Sequence, residues 1–302
     1  MAETGAPALP PMPPARSVLA RAEHFVWLTA RVLEQRLFAY LFRGGDAAPV
    51  MTALDAYRNP DGGYGHALEP VLRGPHSRQP HTAHALRVLD AVGRCGGRHI
   101  EHTCRYLTSV SAADGALPAP LTDRPAAKAR PGTLAATGPV VGLLHRNGVW
   151  HAWLFRATEF CWRKVESLYT SDPREIHAAV AFLDSVPDRP RAEEAAARLG
   201  RLLRERHLAV LDPDDLPAGP PAGDERHYLP HDYARSPRSL ARAWFTDTEM
   251  ARSLDFLAGT QEEDGGWPVR PRPETEVALL EARPGTAISA LRTLRAYGRP
   301  ID

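Results

Sequence analysis

The sequence predicts an all-α protein built from repeated pairs of helices. About ten or more segments carry apolar residues at intervals of three and four, as in helices with one buried face, and none shows the alternation of a β-strand. A turn also recurs: Asp264-Gly265-Gly266-Trp267 separates two helical patterns, and Asp61-Gly62-Gly63-Tyr64 separates two others. A unit that recurs along the chain indicates a repeat architecture.

The helices are predicted from their apolar stripes and their end signals. A stripe over 17–42 indicates one long first helix, with Ser17 as a suitable N-cap and Gly44-Gly45 as a stop. Asp46 is expected to cap the helix that follows. The remaining helices are predicted over 46–57, 80–92, 101–110, 133–145, 150–169, 173–186, 193–210, 249–257 and 286–294.

The connections between these helices are unequal in length. Ala113-Asp114-Gly115-Ala116-Leu117 stands where a further turn belongs, although it lacks the aromatic residue. Residues 124–131 are predicted to form a basic, proline-containing loop. Residues 211–224 are predicted to form a long loop because Pro, Gly and Asp dominate them.

Composition limits the classes of partner and compartment. The 302 residues include 37 Lys and Arg against 36 Asp and Glu, which argues against general nucleic-acid binding and against a polybasic membrane surface. No apolar run approaches the roughly 20 residues that cross a bilayer, so no integral membrane segment is expected. Near-zero net charge leaves the oligomeric state open.

The start of the chain and its cysteines indicate a cytoplasmic protein. Residues 1–16 are rich in Pro and Ala, lack the features of a signal peptide, and are predicted to be a disordered tail, which leaves 17–302 as one domain. The three cysteines, Cys95, Cys104 and Cys161, form no C-x-x-C pair. Such a sparse, odd number is typical of a reducing compartment.

The residues of the recurring turn have structural explanations. Paired glycines permit positive φ and close approach of two backbones. Asp264 is suited to accept backbone hydrogen bonds within the turn, and Gln261 to reach the backbone of a neighbouring repeat. Trp267 and Tyr64 are therefore expected to serve mainly in packing.

These turns resemble two known families. Asp264-Gly265-Gly266-Trp267, preceded by Gln261, resembles the QW-type repeat of squalene-hopene cyclases and related class II terpene cyclases. Asp61-Gly62-Gly63-Tyr64-Gly65, with Pro80-His81 opening the next helix, resembles the internal repeat of protein prenyltransferase beta subunits. Both families share an α/α toroid, in which inner and outer helices alternate around a central cavity. The resemblance therefore implies a single α/α toroid, an α6/α6-like barrel, over 17–302.

The segment Asp212-Pro213-Asp214-Asp215 matches the D-x-D-D pattern by which class II terpene cyclases protonate an alkene or epoxide. Neighbouring like charges raise the pKa of one carboxyl, which makes it a usable acid. By the resemblance, Asp214 would be the proton donor and Asp212 and Asp215 its modulators. The alternative is an ordinary turn, because Asp beside Pro and Gly is common in turns.

His66 and Glu69 follow the first glycine turn and form a second candidate. Loops of this kind gather at one rim of a toroid, where the cavity opens. A histidine and a carboxylate there are suited to act together as a base or to bind a polar group. The alternative is a solvated loop histidine with a glutamate that caps a helix.

Asp232 is the third candidate, within the polar trio His231-Asp232-Tyr233. A polar trio inside a long ordered loop is suited to a rim or lid. The alternative is local turn bonding by Asp232. Asp214, Asp212, Asp215, Asp232, His66 and Glu69 are thus the predicted catalytic residues.

No metal or cofactor is predicted. Zinc-dependent prenyltransferase beta subunits require an Asp, a Cys and a late His in the cavity, and no histidine follows His231. His81 and His84 share a helix face and are spaced as zinc ligands, but exposed or capping histidines explain them as well. The chain has no glycine-rich phosphate loop, nucleophile elbow or dinucleotide fingerprint.

The resemblance implies a terpene-cyclase-like enzyme that acts on an apolar, isoprenoid-type substrate in a central cavity. It would work by acid-initiated carbocation chemistry, with aromatic side chains shielding the cation and no organic cofactor. Two alternatives remain. One is a non-catalytic toroid that binds a hydrophobic ligand or a protein partner. The other is a non-terpene hydrolase or transferase that reuses the cavity.

Overall fold

A computed structural model describes residues 17–119, 131–169, 172–216 and 227–302. Within these ranges the chain is all-α, as predicted, with no β-strand. The tail predicted for 1–16 lies outside the described residues, as do 124–130 and 217–224 of the two predicted loops. The α-helices are α1 (Val18–Thr29), α2 (Val32–Phe42), α3 (Ala47–Asp55), α4 (Gln79–Ala91), α5 (Gly97–Val110), α6 (Leu134–Arg146), α7 (Ala152–Glu166), α8 (Pro173–Leu183), α9 (Arg189–Glu205), α10 (Pro230–Tyr233), α11 (Asp247–Gly259) and α12 (Glu276–Ala296).

The first predicted helix is wrong as a single element, because residues 17–42 form two helices, α1 and α2. Ala30 and Arg31 between them have extended backbone, with ψ of 152° and 161°. The apolar periodicity continues across this break. The break turns Arg31 toward the loop before α4, where its guanidinium donates hydrogen bonds to the carbonyl oxygens of Ala67 (2.9 Å) and Leu68 (3.1 Å).

The last helix is longer than the predicted 286–294, because α12 begins at Glu276. Thr275 caps it by accepting a hydrogen bond of 3.2 Å from the backbone N–H of Ala278. The Pro284-Gly285 pair predicts the end of a helix, but both residues lie inside α12. Tertiary packing of the buried face of α12 outweighs this local signal.

The turns after α3, α5 and α11 share one backbone conformation. In each turn the aspartate side chain accepts a hydrogen bond from the backbone N–H two residues later; the aspartates are Asp61, Asp114 and Asp264. The glycine after each aspartate has a positive φ: 87° at Gly62, 86° at Gly115 and 91° at Gly265. The turn that lacks the aromatic residue is therefore the same structural unit as the other two.

Each of these turns packs against the backbone of another helix. A Cβ added to the glycine would lie 2.5 Å or less from a backbone atom: of His102 in α5 for Gly62, of Ala157 in α7 for Gly115, and of Arg21 in α1 for Gly265. Only glycine fits such an approach. The third contact joins the last turn of the chain to its first helix.

The two ends of the described chain meet along α1 and α12, a contact that we call the α1–α12 seam. The backbone N–H of Leu19 donates a hydrogen bond of 2.8 Å to the carbonyl of Ile301. A small apolar core lies along this seam around Phe25, Trp267 and Leu291, and Trp267 is fully buried. A larger core fills the rest of the molecule and includes Tyr64, which is buried as expected.

Packing contacts link helices from successive pairs along the chain. Helix α4 packs on α6, α6 on α8, and α8 on α10. Helix α10 packs on α11, α11 on α12, and α12 on α2.

Candidate functional site

The loop between the Asp61-Gly62 turn and α4 contains the predicted residues His66 and Glu69 and makes several hydrogen bonds and ion pairs with other segments. Arg31 fixes its backbone through Ala67 and Leu68, and an ion pair with Glu34 orients the Arg31 guanidinium. Further along, Arg73 pairs with Glu281 of α12 at 3.1 Å. The loop is thus held against both α2 and α12.

Glu69 lies in this loop beside one face of α4. Its carboxylate is 3.2 Å from Nδ1 of His84 and 3.4 Å from a guanidinium nitrogen of Arg87. His84 and Arg87 are three residues apart, so the helix places both on one face. The backbone N–H of Glu69 donates a hydrogen bond of 2.8 Å to Nδ1 of His81, which lies one turn before His84 on α4.

These contacts keep Glu69 ionised. Burial alone would raise the pKa of its carboxyl, but the hydrogen bond and charge of His84, with the charge of Arg87, lower it to about 2. A carboxyl of this pKa is unsuited to donate a proton at neutral pH. It is suited to orient Arg87 or to stabilise a positive charge.

His81 is a buried, neutral histidine. Burial and the charges of Arg78, His84 and Arg31 lower its pKa to about 4, against the opposing charge of Glu69. Because Nδ1 accepts a hydrogen bond, the proton of the neutral ring is on Nε2. The Nε2 atom is buried without a hydrogen-bond partner among the described residues. The occupied Nδ1 also argues against the zinc-ligand alternative for His81.

The structure does not bring His66 to Glu69. His66 is exposed, has a φ of 55°, and is 3.0 Å from the side-chain oxygen of Asn59 through its Nε2. Glu69 has a different histidine partner, His84. The predicted pairing of His66 with Glu69 is therefore replaced by a pairing across the loop and α4.

The segment of the D-x-D-D pattern forms a short 3-10 helix, Pro213–Asp215, at the surface. Asp212 caps it by accepting a hydrogen bond of 3.1 Å from the backbone N–H of Asp214. The side chain of Asp214 is 88% exposed and, with Asp212, pairs with Arg252 of α11. Asp215 is also exposed. This geometry is that of the turn alternative, and the proton-donor role of Asp214 stays a prediction.

Asp232 has a capping role at α10. Its carboxylate accepts a hydrogen bond of 2.9 Å from the backbone N–H of Leu229 and lies 3.8 Å from Nε2 of His231. Nδ1 of His231 is 2.6 Å from the hydroxyl of Ser253. Ser253 is fully buried, so this series of Ser, His and Asp side chains does not present a nucleophile to a substrate.

A cleft of about 320 Å³ opens at the N-terminal ends of α6 and α8. Glu175 lines it together with Leu134, Lys164, Leu168 and Tyr169. Burial raises the pKa of the Glu175 carboxyl, although a hydrogen bond from the backbone of Ala135 opposes the shift. An acid with a raised pKa in a partly apolar cleft is a candidate for proton transfer.

Only one other described carboxyl has a raised pKa. Burial raises the pKa of Asp184, and that carboxyl accepts a hydrogen bond of 2.8 Å from the backbone N–H of Leu240. Asp184 thus anchors a loop and is not free to act on a ligand. Glu175 is the more accessible of the two because it borders the cleft.

Among the described residues, no three His, Cys, Asp or Glu side chains are grouped as a metal site. All three cysteines are buried and free, and burial raises their pKa values. In the described ranges, no helix is long and apolar enough to cross a membrane.

Sequence reasoning missed Glu175 and the partners of Glu69. Glu175 is the third residue of a helix that starts with proline, a common pattern at helix starts that carries no chemical signal. The spacing of His84 and Arg87 shows that they share a helix face. Nothing in the sequence shows that a carboxylate from the preceding loop contacts that face. These contacts depend on tertiary structure.

Two comparisons with known proteins bear on identity. No protein-family model matches the chain. A drimenyl diphosphate synthase from Streptantibioticus cattleyicolor is 29% identical over 233 residues, which cover 74% of this chain and 42% of the relative. The chain thus spans less than half the length of the relative that it matches. With the all-helical fold, this similarity supports a terpene-cyclase-like relationship for the chain.

Proposed function

We propose that the protein is a terpene-cyclase-like enzyme that acts on an isoprenoid diphosphate. The observation that carries the proposal is the similarity to a drimenyl diphosphate synthase over 233 residues. The aligned length is too great to be explained by the short turn motifs alone. The matched share of the relative is less than half, so the activity of the whole relative is not transferred directly.

We further propose that the helices form a single α/α toroid. Three observations support it: the repeated turns, the packing of α4 on α6, of α6 on α8 and of α8 on α10, and the α1–α12 seam. In such a ring the second helix of each pair faces the centre. Helices α4, α6, α8, α10 and α12 would then surround the central space, with α2 completing the ring.

The acid that starts the reaction is assigned to Glu175 in this proposal. Burial raises its pKa, and it borders a cleft that Leu134 and Leu168 also line. The carboxyl proton would pass to an alkene carbon of the substrate, which leaves a carboxylate on the protein and a carbocation on the substrate. The next double bond of the substrate would then attack this cation and close a ring. The cyclised cation would then pass a proton to water, which gives the neutral product. Asp214 lacks the enclosure that this chemistry needs, since it is exposed.

The experiment uses the full chain with a series of linear isoprenyl diphosphates of increasing length, in D₂O. Acid-initiated cyclisation places one solvent deuterium in the product, which mass spectrometry detects. Glu175→Gln is expected to reduce turnover by roughly a hundredfold or more, because general acid catalysis contributes on that scale. Glu194→Gln, on the exposed face of α9, is the matched control.

Two outcomes separate the alternatives. Cyclised product without loss in the Glu175→Gln variant would keep the enzyme class and reject Glu175 as the acid. Absence of product from every isoprenyl diphosphate, with a folded protein, would reject the cyclase proposal and favour a non-catalytic binding protein or a different enzyme class.

A further inference from the structure

Four arginines from four separate segments gather on the side of α4, α6 and α12 that is not buried in the core. They are Arg87 in α4, Arg146 in α6, Arg292 in α12, and Arg235, which follows α10; we call them the arginine recess. Each is exposed, whereas the adjacent residues in the helices are mostly buried. The predicted catalytic residues include none of them.

Side-chain contacts join these residues in two pairs, Arg146 with the helix of Arg87 and Arg235 with the helix of Arg292. A guanidinium nitrogen of Arg146 lies 3.3 Å from the Asp90 carboxylate, which joins α6 to α4 one turn beyond Arg87. A guanidinium nitrogen of Arg235 lies 3.4 Å from the hydroxyl of Ser289, one turn before Arg292 on α12. Because residues three apart share a helix face, Arg235 and Arg292 are neighbours.

The electrostatics of the group agree with this proximity. Burial lowers the pKa of Arg87, and the Arg235 charge lowers it further, against the charge of Glu69. Burial also lowers the pKa of Arg292, opposed by Asp90 and reinforced by Arg235 and Arg146. The positive charges therefore repel one another within a common space.

The arginine recess is open to water. The side chain of Arg87 is 53% exposed, yet the surrounding protein lowers its pKa by desolvation. Arg292 combines exposure with the same effect. Both guanidinium groups are therefore accessible to a ligand in solution.

The recess has more positive than negative charge. Glu69 pairs with Arg87, and Asp90 pairs with Arg146. Arg235 and Arg292 have no carboxylate partner in the part of the chain that the structure describes. Two guanidinium charges are thus left to be neutralised by something other than these side chains, and each presents a planar set of donors that matches phosphate oxygens.

We propose that Arg235 and Arg292, with Arg87 beside them, bind the diphosphate group of the substrate. The proposal rests on the proposed function for the identity of the group, since an isoprenoid diphosphate has a multiply charged head and an apolar chain. The geometry favours such an anion over a carboxylate, because two unpaired guanidiniums require more than one negative charge. Glu69 and His84 hold Arg87 in place for this contact.

The test uses inorganic diphosphate and the full chain in isothermal titration calorimetry at low and physiological salt. Wild type is expected to bind it with one site. Arg235→Gln and Arg292→Gln are each expected to weaken binding about tenfold, and the double variant to abolish it, because charge-assisted contacts have that strength. Arg105→Gln removes a charge from the exposed face of α5 and serves as the control.

Stability distinguishes loss of the site from loss of the fold. Arg235 and Arg292 repel each other and have no described carboxylate partner, so the double variant without ligand is expected to be as stable as wild type or more stable. A marked loss of stability in both single variants would mean that these arginines hold the structure together, and that result would overturn the proposal.

The two proposals fail in different ways. Diphosphate binding that depends on Arg235 and Arg292, with no turnover of any isoprenyl diphosphate, would support the anion site and reject the cyclase. Turnover with an unchanged KM in the double variant would keep the cyclase and reject the anion site. Wild type that fails to bind inorganic diphosphate, or binds it equally well in all variants, would also overturn the anion site.

Discussion

The side-chain amide of Gln261 donates a hydrogen bond of 3.0 Å to the backbone carbonyl of Val18, and so fastens the last repeat turn to the first helix. The same amide donates to the carbonyl of Gly265 within its own turn. One side chain thus fixes both the shape of the turn and its attachment across the α1–α12 seam.

Gly265→Ala is expected to destabilise the protein by more than about 3 kcal/mol, because a Cβ would lie 2.3 Å from the carbonyl oxygen of Arg21 and the residue has a positive φ. Gly93→Ala is the matched control, since Gly93 has a φ of 64° and open space around its Cα. It should cost only about 1–2 kcal/mol. Urea unfolding measures both, and equal losses would contradict close packing at the seam.

His81 is expected to make stability fall as the pH drops from about 6.5 to about 4. Its folded pKa is lowered, so the unfolded chain takes up a proton in this window while the folded chain does not. His81→Asn keeps an acceptor for the Glu69 N–H and should flatten the dependence of the unfolding free energy on pH. The exposed His66→Asn is the control. An unchanged slope in the His81 variant would show that another group causes the fall.

Glu69→Gln is expected to cost on the order of 2 kcal/mol at pH 7, because the substitution removes an ionised, mostly buried partner of His84. The folded pKa of Glu69 is lowered to about 2 from an ordinary 4.5, so its contribution exists above pH 4.5 and is lost as the pH falls toward 2. The difference between the variant and wild type should shrink over that range in urea unfolding.

The control for Glu69 is Glu101→Gln, which removes a carboxylate from an exposed pair with Arg105 on one helix face. We expect little change in stability from it at any pH. A Glu69 variant that behaves like the Glu101 variant would mean that solvent screens the Glu69 cluster.

Asp214→Asn is expected to change stability by no more than about 0.5 kcal/mol and to leave turnover unaffected. The reason is its position in an exposed turn, where Arg252 is its ion-pair partner. Turnover of an isoprenyl diphosphate by the variant tests this directly. A loss of about a hundredfold or more in a stably folded variant would instead identify Asp214 as the proton donor.

The sequence predicts the fold class because local signals and the final structure agree at the turns. Gly62 and Gly265 carry the paired-glycine pattern, and Gly115 has the same conformation without the aromatic. Prediction fails where packing overrides local signals. The break at Ala30 interrupts a continuous apolar stripe, and α12 continues through Pro284. Both errors come from reading helix ends without the elements packed against them.

The candidate site is less predictable, because its partners come from distant segments. Glu69 is identified by its place after a turn, yet its histidine partner, His84, is 15 residues away and on another element. The arginine recess combines arginines from four segments of a chain that has many others. Only the fold shows which of these arginines lack a carboxylate partner.

The seam also bears on the order of folding. Its hydrogen bond between Leu19 and Ile301 joins residues from the two ends of the described chain, whereas the contact of α6 with α8 joins nearby segments. Closing so long a loop carries a large entropy cost and gains contacts only at the end. Helices α1 and α12 are therefore expected to dock last, and their amide hydrogens to exchange with solvent sooner than those of α6. The contact between α1 and α12 is therefore expected to open before the larger core unfolds.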